Sequence, residues 1–335
     1  MGPDGTPATI ARTLRDSPTT LIVCHVAPDG DCLGAGLALG LALRRLGRSV
    51  TVASADGVPA NLAFLPGADA VVRHPPDGAA YTTAVTMECS DLSRTGSLAA
   101  AVRSSATTIA IDHHAGHVRY AHLTDWDPTA AAVGEQVAEL IRALGVEIDR
   151  PIALCLLTAL VTDTGVFRYG NTTARTLRLA ADLIDRGATI GEIVRAVYEE
   201  QPPSALRLLG HALAGLTLQE GGAVATAVVT PQILAAAGAT PEEASGIAAM
   251  LRTIAGVRLA MTFEDRAGSV RISIRARDGL RADRVAQALG GGGHAAAAGA
   301  EPSGSLEDVM RRATEEARRE LSRSRDGAGA EREGR

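Results

Sequence analysis

Residues 20–31 read Thr20-Leu21-Ile22-Val23-Cys24-His25-Val26-Ala27-Pro28-Asp29-Gly30-Asp31. An apolar, β-branched run ends at a histidine, and Pro28 and Gly30 then force a sharp turn. The Asp-x-Asp spacing that follows can send two carboxylates toward one place. An isolated Asp-Gly-Asp is most often a polar loop with a helix cap at Asp31, but the strand and histidine in front of it weigh against that reading. With a helical pattern over Cys32–Leu46, this is the first strand–turn–helix of an α/β fold, whose ligands bind at the carboxyl ends of strands.

The same alternation continues outward. Strands are expected at Thr20–His25, Ser49–Ser54, Thr83–Glu88 and Thr107–Ile111. Helices are expected at Gly96–Arg103, Pro128–Leu144, Pro151–Leu160 and Thr172–Asp185, the last stopping at Gly187. This predicts an α/β chain: an N-terminal doubly wound parallel-sheet domain over 1–189, a helical connector over 190–218 broken by Pro202 and Pro203, and a smaller C-terminal α/β domain over 219–322. Expected in that second domain are strands Val224–Val229, Arg258–Phe263 and Ser269–Arg275, and helices Pro231–Ala237, Pro241–Met250 and Arg281–Leu289. A charged helix capped by Ser305 follows, and a disordered tail is expected over 323–335. The active-site cleft is expected between the two domains.

Four polar clusters fall at the ends of apolar segments. Beside His25-Asp29-Asp31 stands Glu88, closing Thr83–Glu88 and followed by Asp91 and Arg94. Asp112-His113-His114 follows Thr107–Ile111, and two imidazoles with a carboxylate after a strand are a strong metal signal. Asp163 ends a long apolar stretch, where a lone carboxylate needs a partner that a cation can supply. Oxygens and imidazoles, with no cysteine expected among the ligands, suit Mn2+, with Mg2+ or Co2+ as alternatives, better than a structural zinc site. The set suffices for two divalent ions, which at about 3.5–4 Å apart can activate water and neutralise the charge of a phosphoryl transition state.

Composition narrows the substrate. The net charge is −5, so a broad cationic track for long nucleic acid is not evident; that every basic residue is arginine carries no functional meaning. Cys24, Cys32, Cys89 and Cys155 form no C-x-x-C pair, which fits a reduced, cytoplasmic interior. Neither a signal pattern nor an unbroken apolar run long enough to span a bilayer is present, so no membrane association is expected.

In order, H-x-x-P-D-G-D (25–31), an acid at a later strand end, D-H-H (112–114), T-D-T-G-x-F-R (162–168) and Gly290-Gly291-Gly292-Gly293-His294 resemble the DHH phosphoesterases with their associated C-terminal domain. The resemblance spans nearly the whole chain. It is nearest to members that act both as oligoribonucleases and as phosphatases of phosphoadenosine phosphate (pAp). It implies that His25 and Asp29 bind one metal and Asp31, His113 and Asp163 the other, with Glu88 where the family has a bridging aspartate. Asp112 would orient a histidine ligand, and His114 would face the scissile phosphate as charge stabiliser or proton donor. Glu88 departs from the family by one methylene, and Ala35 and the alanines near Ala130 depart at positions where small hydroxyl residues are common. A homodimer is the implied assembly.

In the second domain, alternation puts Arg271, Ser273 and Arg275 on one face of a strand. A solvated sheet face is the ordinary reading, but glycine amides at Gly291, Gly292 and Gly293 and the ring of His294 can approach an oxyanion. Arg275, His294 and these glycines are expected to hold a substrate's terminal 5′-phosphate, which would let one enzyme handle pAp and dinucleotides such as pApA. The remaining histidines, His74, His117, His122 and His211, are expected to be surface or packing residues. The alternatives are a polyphosphatase or other phosphohydrolase of the same family, or a weakly active nucleotide-binding or sensing protein, which the departure at Glu88 invites.

Overall fold

The computed structural model describes residues 5–76, 78–266 and 268–333, with side chains described as far as Ser324. It divides into two compact units, Met1–Glu200 and Gln201–Arg335. In the first, α1 (Pro7–Asp16), β1 (Thr19–Cys24), α2 (Gly30–Arg45), β2 (Ser49–Ser54), β3 (Thr83–Met87), α3 (Ala99–Ser104), β4 (Thr107–Asp112) and β5 (Leu123–Trp126) lead into α4 (Val133–Ala143), α5 (Arg150–Asp163), α6 (Ala174–Asp185) and α7 (Ile190–Val194). The strands form one wholly parallel sheet in the order β2-β1-β3-β4-β5. That order reverses direction between β1 and β3, the crevice where doubly wound sheets bind ligands. Successive residues of β1 serve opposite faces, as strand alternation requires. Ile22 and Cys24 pack into the large core with α2, α4 and α5, while Leu21 and Val23 join Leu98 and Val102 on the other side.

Glycines set how closely the helices approach. A Cβ on Gly30 would lie 2.5 Å from Thr162 Cγ2, and one on Gly34 would lie 2.4 Å from the Cys155 carbonyl. Only a bare backbone lets α2 and α5 pack this tightly, and the contact brings Asp31 near the C-terminal end of α5.

The second unit comprises α8 (Pro203–Ala214), β6 (Thr217–Gln219), β7 (Val224–Val229), α9 (Pro231–Ala237), α10 (Ile247–Leu251), β8 (Leu259–Arg266), β9 (Ser269–Ala276), α11 (Ala282–Ala288), β10 (Gly292–Gly293), β11 (Ala297–Ala300) and α12 (Leu306–Glu333). Its mixed sheet runs β10-β11-β9-β8-β7-β6 and is parallel only between β7 and β8. Leu259, Met261 and Phe263 face a core with α11 and α12, and Ala225, Ala227 and Ala260 face one with α8.

Several boundaries differ from expectation. The connector expected over 190–218 is divided at Glu200, because Leu208 and Ala212 of α8 are buried in the second unit's core. The helix expected from Pro128 begins at Val133, since Ala132 is extended (φ −159°) and the first N–H groups are capped by a distant side chain. The expected Pro241–Met250 helix splits at Ser245 and Gly246. The tail expected over 323–335 begins within α12, and its side chains beyond Ser324 lie outside the described residues. Strands β5, β6, β10 and β11 and helix α1 are additions. Among the described residues, no helix is long and apolar enough to cross a membrane.

Candidate metal centre

The candidate residues of the first unit converge at the carboxyl edge of its sheet. His25 follows β1, Glu88 follows β3, and Asp112 is the last residue of β4, leading directly to His113 and His114. Asp29 caps α2, its Oδ1 accepting from Cys32 N at 3.0 Å. Asp31 lies in the first turn of α2, and Asp163 ends α5. A carboxylate at a helix C-terminus faces the unfavourable end of the helix dipole, which a nearby cation would offset. Non-glycine residues with positive φ gather in these loops, at Ala27 (52°), Glu88 (57°), Val166 (60°) and Phe167 (60°). Such backbone is costly and persists only where the surroundings enforce it.

Glu88 joins two groups. Its Oε2 lies 3.7 Å from His25 Nε2, which is 3.8 Å from Asp29 Oδ2. Its Oε1 lies 3.7 Å from His113 Nε2, which is 3.8 Å from both Asp31 Oδ2 and Asp163 Oδ2. All six sequence candidates are thus brought together, five of them in two sets sharing the two oxygens of Glu88. Separations of 3.7–3.8 Å exceed a hydrogen bond and are what donor atoms adopt around a shared cation about 2.0–2.3 Å from each. Asp31 and Glu88 are almost wholly buried, and burial together with the charge of Glu88 holds the Asp31 carboxyl well above its usual range. Burial alone would lower His113, but Glu88, Asp163 and Asp31 outweigh it and lift that imidazole to about 11. The surrounding acids therefore stabilise positive charge at His113, whether from a proton or a metal ion. The donor set fits divalent cations.

The imidazoles are aimed from behind. His113 Nδ1 bonds the Ala130 carbonyl at 3.0 Å, and His25 Nδ1 bonds the Val26 carbonyl at 2.8 Å. The bond at His113 fixes the tautomer with the Nε2 lone pair toward the acids, while at His25 the Arg94 guanidinium also reaches Nδ1, at 3.3 Å. Asp31 also caps α4 from across the fold, its Oδ2 and Oδ1 accepting from Val133 N (2.6 Å) and Gly134 N (2.9 Å). The alanines near Ala130 therefore act through their main chain, which no side-chain pattern could have revealed.

Asp112 lies behind this group, fully buried, and meets it through the main chain of His113 rather than through a ligating ring. Its Oδ1 accepts from His114 Nδ1 (2.8 Å) and from the N–H groups of His113 (2.9 Å) and His114 (3.2 Å). Burial opposes its ionisation, but the bonds from His114 and His117 prevail and hold it well below the carboxylate range. His117, expected to be a packing residue, is thus bonded to the centre, with Nδ1 2.6 Å from Asp112 Oδ2. The missed signal is its place five residues after the aspartate, on a turn closed by His117 N–H to the His114 carbonyl.

Cysteine also departs from expectation. The Cys32 sulfur lies within 4.8 Å of donor atoms of His25 and Glu88, although it is engaged with His25 N–H and the Met87 carbonyl. Asp91 caps its own turn by accepting from Ser93 N and is no substitute for Glu88.

In the second unit, alternation of exposure along β9 puts Arg271, Ser273 and Arg275 on one partly open face. Their neighbours in register are small beside Arg275 (Ala260 and Ala297) and beside Ser273 (Gly299). The glycine run is structural as well as permissive. A Cβ on Gly291 would fall 2.0 Å from the Gly299 carbonyl, and one on Gly293 would fall 2.7 Å from that of Ala297. The Gly291 N–H is already bonded to the Ala286 carbonyl, so it is the wrong amide for a phosphate; β10 itself consists of Gly292 and Gly293. His294 turns the chain between β10 and β11.

Residues 19–160 match the model of the DHH family N-terminal domain, and residues 221–323 match that of the DHHA1 domain. The chain is 37% identical over 308 residues to a Thermus thermophilus protein named bifunctional oligoribonuclease and PAP phosphatase NrnA, covering 90% of each. A Bacillus subtilis protein of the same name is 28% identical over 294 residues, 87% of this chain and 91% of that one. The crystal structure of an exopolyphosphatase-related protein from Bacteroides fragilis matches with a TM-score of 0.88 at 23% identity, covering 95% of this chain and 97% of that one, a likeness of fold.

Proposed function

The chain belongs to the DHH family, and from that premise we propose that it is a divalent-metal-dependent phosphoesterase. Its substrates are short oligoribonucleotides and dinucleotides such as pApA, cut to mononucleotides, and pAp, cut to AMP and phosphate. The names of the two relatives support this substrate class, and the net negative charge disfavours long nucleic acid. The observation that carries the reading is the meeting of two histidine–carboxylate groups on the two oxygens of Glu88.

His25 and Asp29 with Glu88 hold one ion, and Asp31, His113 and Asp163 with Glu88 hold the other. The oxygen-rich donors favour Mn2+, with Mg2+ or Co2+ as alternatives. Bound divalent ions supply Lewis-acid stabilisation of a phosphoryl transition state and a lowered water pKa. Asp112 anchors His114 through Nδ1, which leaves Nε2 as the nitrogen to meet a phosphate oxygen or deliver a proton to the leaving group. Arg275, with Ser273, Arg271 and His294, binds the terminal 5′-phosphate, aided by Gly292 and Gly293 rather than Gly291. A cytoplasmic setting, in keeping with four free, buried cysteines, and a homodimeric assembly complete the reading.

The test is AMP release from pAp and pApA with Mn2+, measured beside longer RNA, pyrophosphate and polyphosphate. Turnover confined to pAp and the shortest RNAs is expected. Polyphosphate as the sole substrate, or binding of nucleotides without hydrolysis, would overturn the proposal.

A further inference from the structure

We propose that His117 is a positioning residue that, through Asp112, holds the ring of His114 in its working orientation. The inference rests on the reading above, in which His114 meets the substrate phosphate. Asp112 carries an imidazole on each oxygen: His114 Nδ1 on Oδ1 at 2.8 Å and His117 Nδ1 on Oδ2 at 2.6 Å. An ionised carboxylate only accepts, so each ring carries a proton on Nδ1. The carboxylate is fully buried, and no water-exposed edge is available to replace a lost donor.

The surroundings of His117 leave it this role alone. Its side chain is 1% exposed, and its Nε2 has no hydrogen-bond partner among the described residues, so the ring's polar action is the single bond to Asp112. Aromatic neighbours hold it in place: Trp126 stacks at 6.3 Å and 23°, and Tyr120 lies tilted at 5.9 Å. Trp126 Nε1 donates to the His114 carbonyl at 2.8 Å, and the His117 N–H donates to the same oxygen at 3.2 Å. Residues 112–117 therefore form a closed turn whose two ends are both fastened to His114. Without the His117 donor, the carboxylate is held on the Oδ1 side alone, by the N–H groups of His113 and His114, and with Oδ2 released its plane can tilt and carry the His114 ring with it.

The experiment compares His117→Ala, His117→Phe and His117→Asn with the natural chain, using pAp and Mn2+. Phe refills the slot beside Trp126 without a donor, while Asn places an amide N–H near the position of Nδ1. Loss of kcat by about tenfold or more is expected for Ala and Phe, the scale of removing a partner that orients an active-site group, with KM and bound manganese unchanged. Asn should recover most of kcat. In nitrogen-15 histidine spectra, the hydrogen-bonded Nδ1–H of His114 should be retained in the natural chain and in Asn, and lost in Ala and Phe. Should Ala fail to fold, Phe carries the comparison. Unchanged kcat in Ala and Phe, or an Asn variant no better than Ala, overturns the inference. If the natural chain turns over neither pAp nor pApA, the functional reading falls, and the spectra still decide the role of His117.

Discussion

Asp31 and Glu88 at the strand ends of the first unit are 0% and 1% exposed, whereas the Arg271 side chain on β9 of the second unit is 37% exposed. The first region buries like charges 3.7–3.8 Å from shared imidazoles and capped by main-chain N–H groups. The second displays cations on a half-open strand face floored by alanine and glycine. Burying carboxylates is tolerable only with compensating positive charge, so the first region calls for a cation by its own energetics. Exposed arginines are stable as they stand and acquire specificity only when an anion arrives. Metal removal should therefore disturb the first region's stability, while loss of substrate contacts should disturb only turnover in the second.

The largest effect is expected from Glu88→Gln, which keeps the shape and removes the charge facing both groups. Turnover of pAp should fall by about a hundredfold or more, on the scale of losing one electrostatic stabiliser of the transition state. The stabilisation that Mn2+ confers on the natural chain, about 2.7 kcal/mol at a hundred times its dissociation constant, should largely disappear from the thermal midpoint. That stabilisation should also grow with pH. The metal displaces protons from Asp31, whose carboxyl is raised, and from His113, lifted to about 11, and fewer protons compete as pH rises. A midpoint shift that is flat between about pH 6 and about pH 9, or intact in Glu88→Gln, would break the contrast.

Arg275→Ala comes next and sharpens the other side. Losing a hydrogen bond to a charged group costs about 1.5–3 kcal/mol, so kcat/KM for pAp should fall about tenfold to a hundredfold. An activated generic phosphodiester, which has no terminal phosphate to anchor, should be comparatively unaffected, and the manganese-induced midpoint shift should stay. Equal losses on both substrates would remove the anchor.

A smaller effect belongs to Gly30→Ala. Its Cβ would meet Thr162 Cγ2 at 2.5 Å, and overpacking of this kind costs about 1–3 kcal/mol, read by urea unfolding. Pairing it with Thr162→Ala should return part of the loss. If the single variant is as stable as the natural chain, α2 and α5 do not depend on that bare contact.

Much of this was written in the chain. Strands β2 and β7 stand where apolar periodicity put them, and His25, Glu88 and Asp112 fall at strand ends because a polar residue terminates each buried run. The short strands β10 and β11 were illegible: Gly292, Gly293 and Ala297–Ala300 have almost no side chains, and their pairing depends on room rather than on β-branched shape. The beginning of α4 was hidden for another reason, since its cap is Asp31, more than a hundred residues earlier.

Local chemistry in the sequence determined which side chains could bind a cation, because each stands in a short motif of turn residues and acids after an apolar run. It also determined that Arg271, Ser273 and Arg275 share a face, since strand geometry alternates regardless of context. Only the tertiary structure decided that the two Glu88 oxygens face different imidazoles, that Ala130 aims His113, and that His117 bonds Asp112. Those relations depend on rotamers, main-chain carbonyls and the spacing of neighbouring strands, and such quantities come into being when the sheet closes.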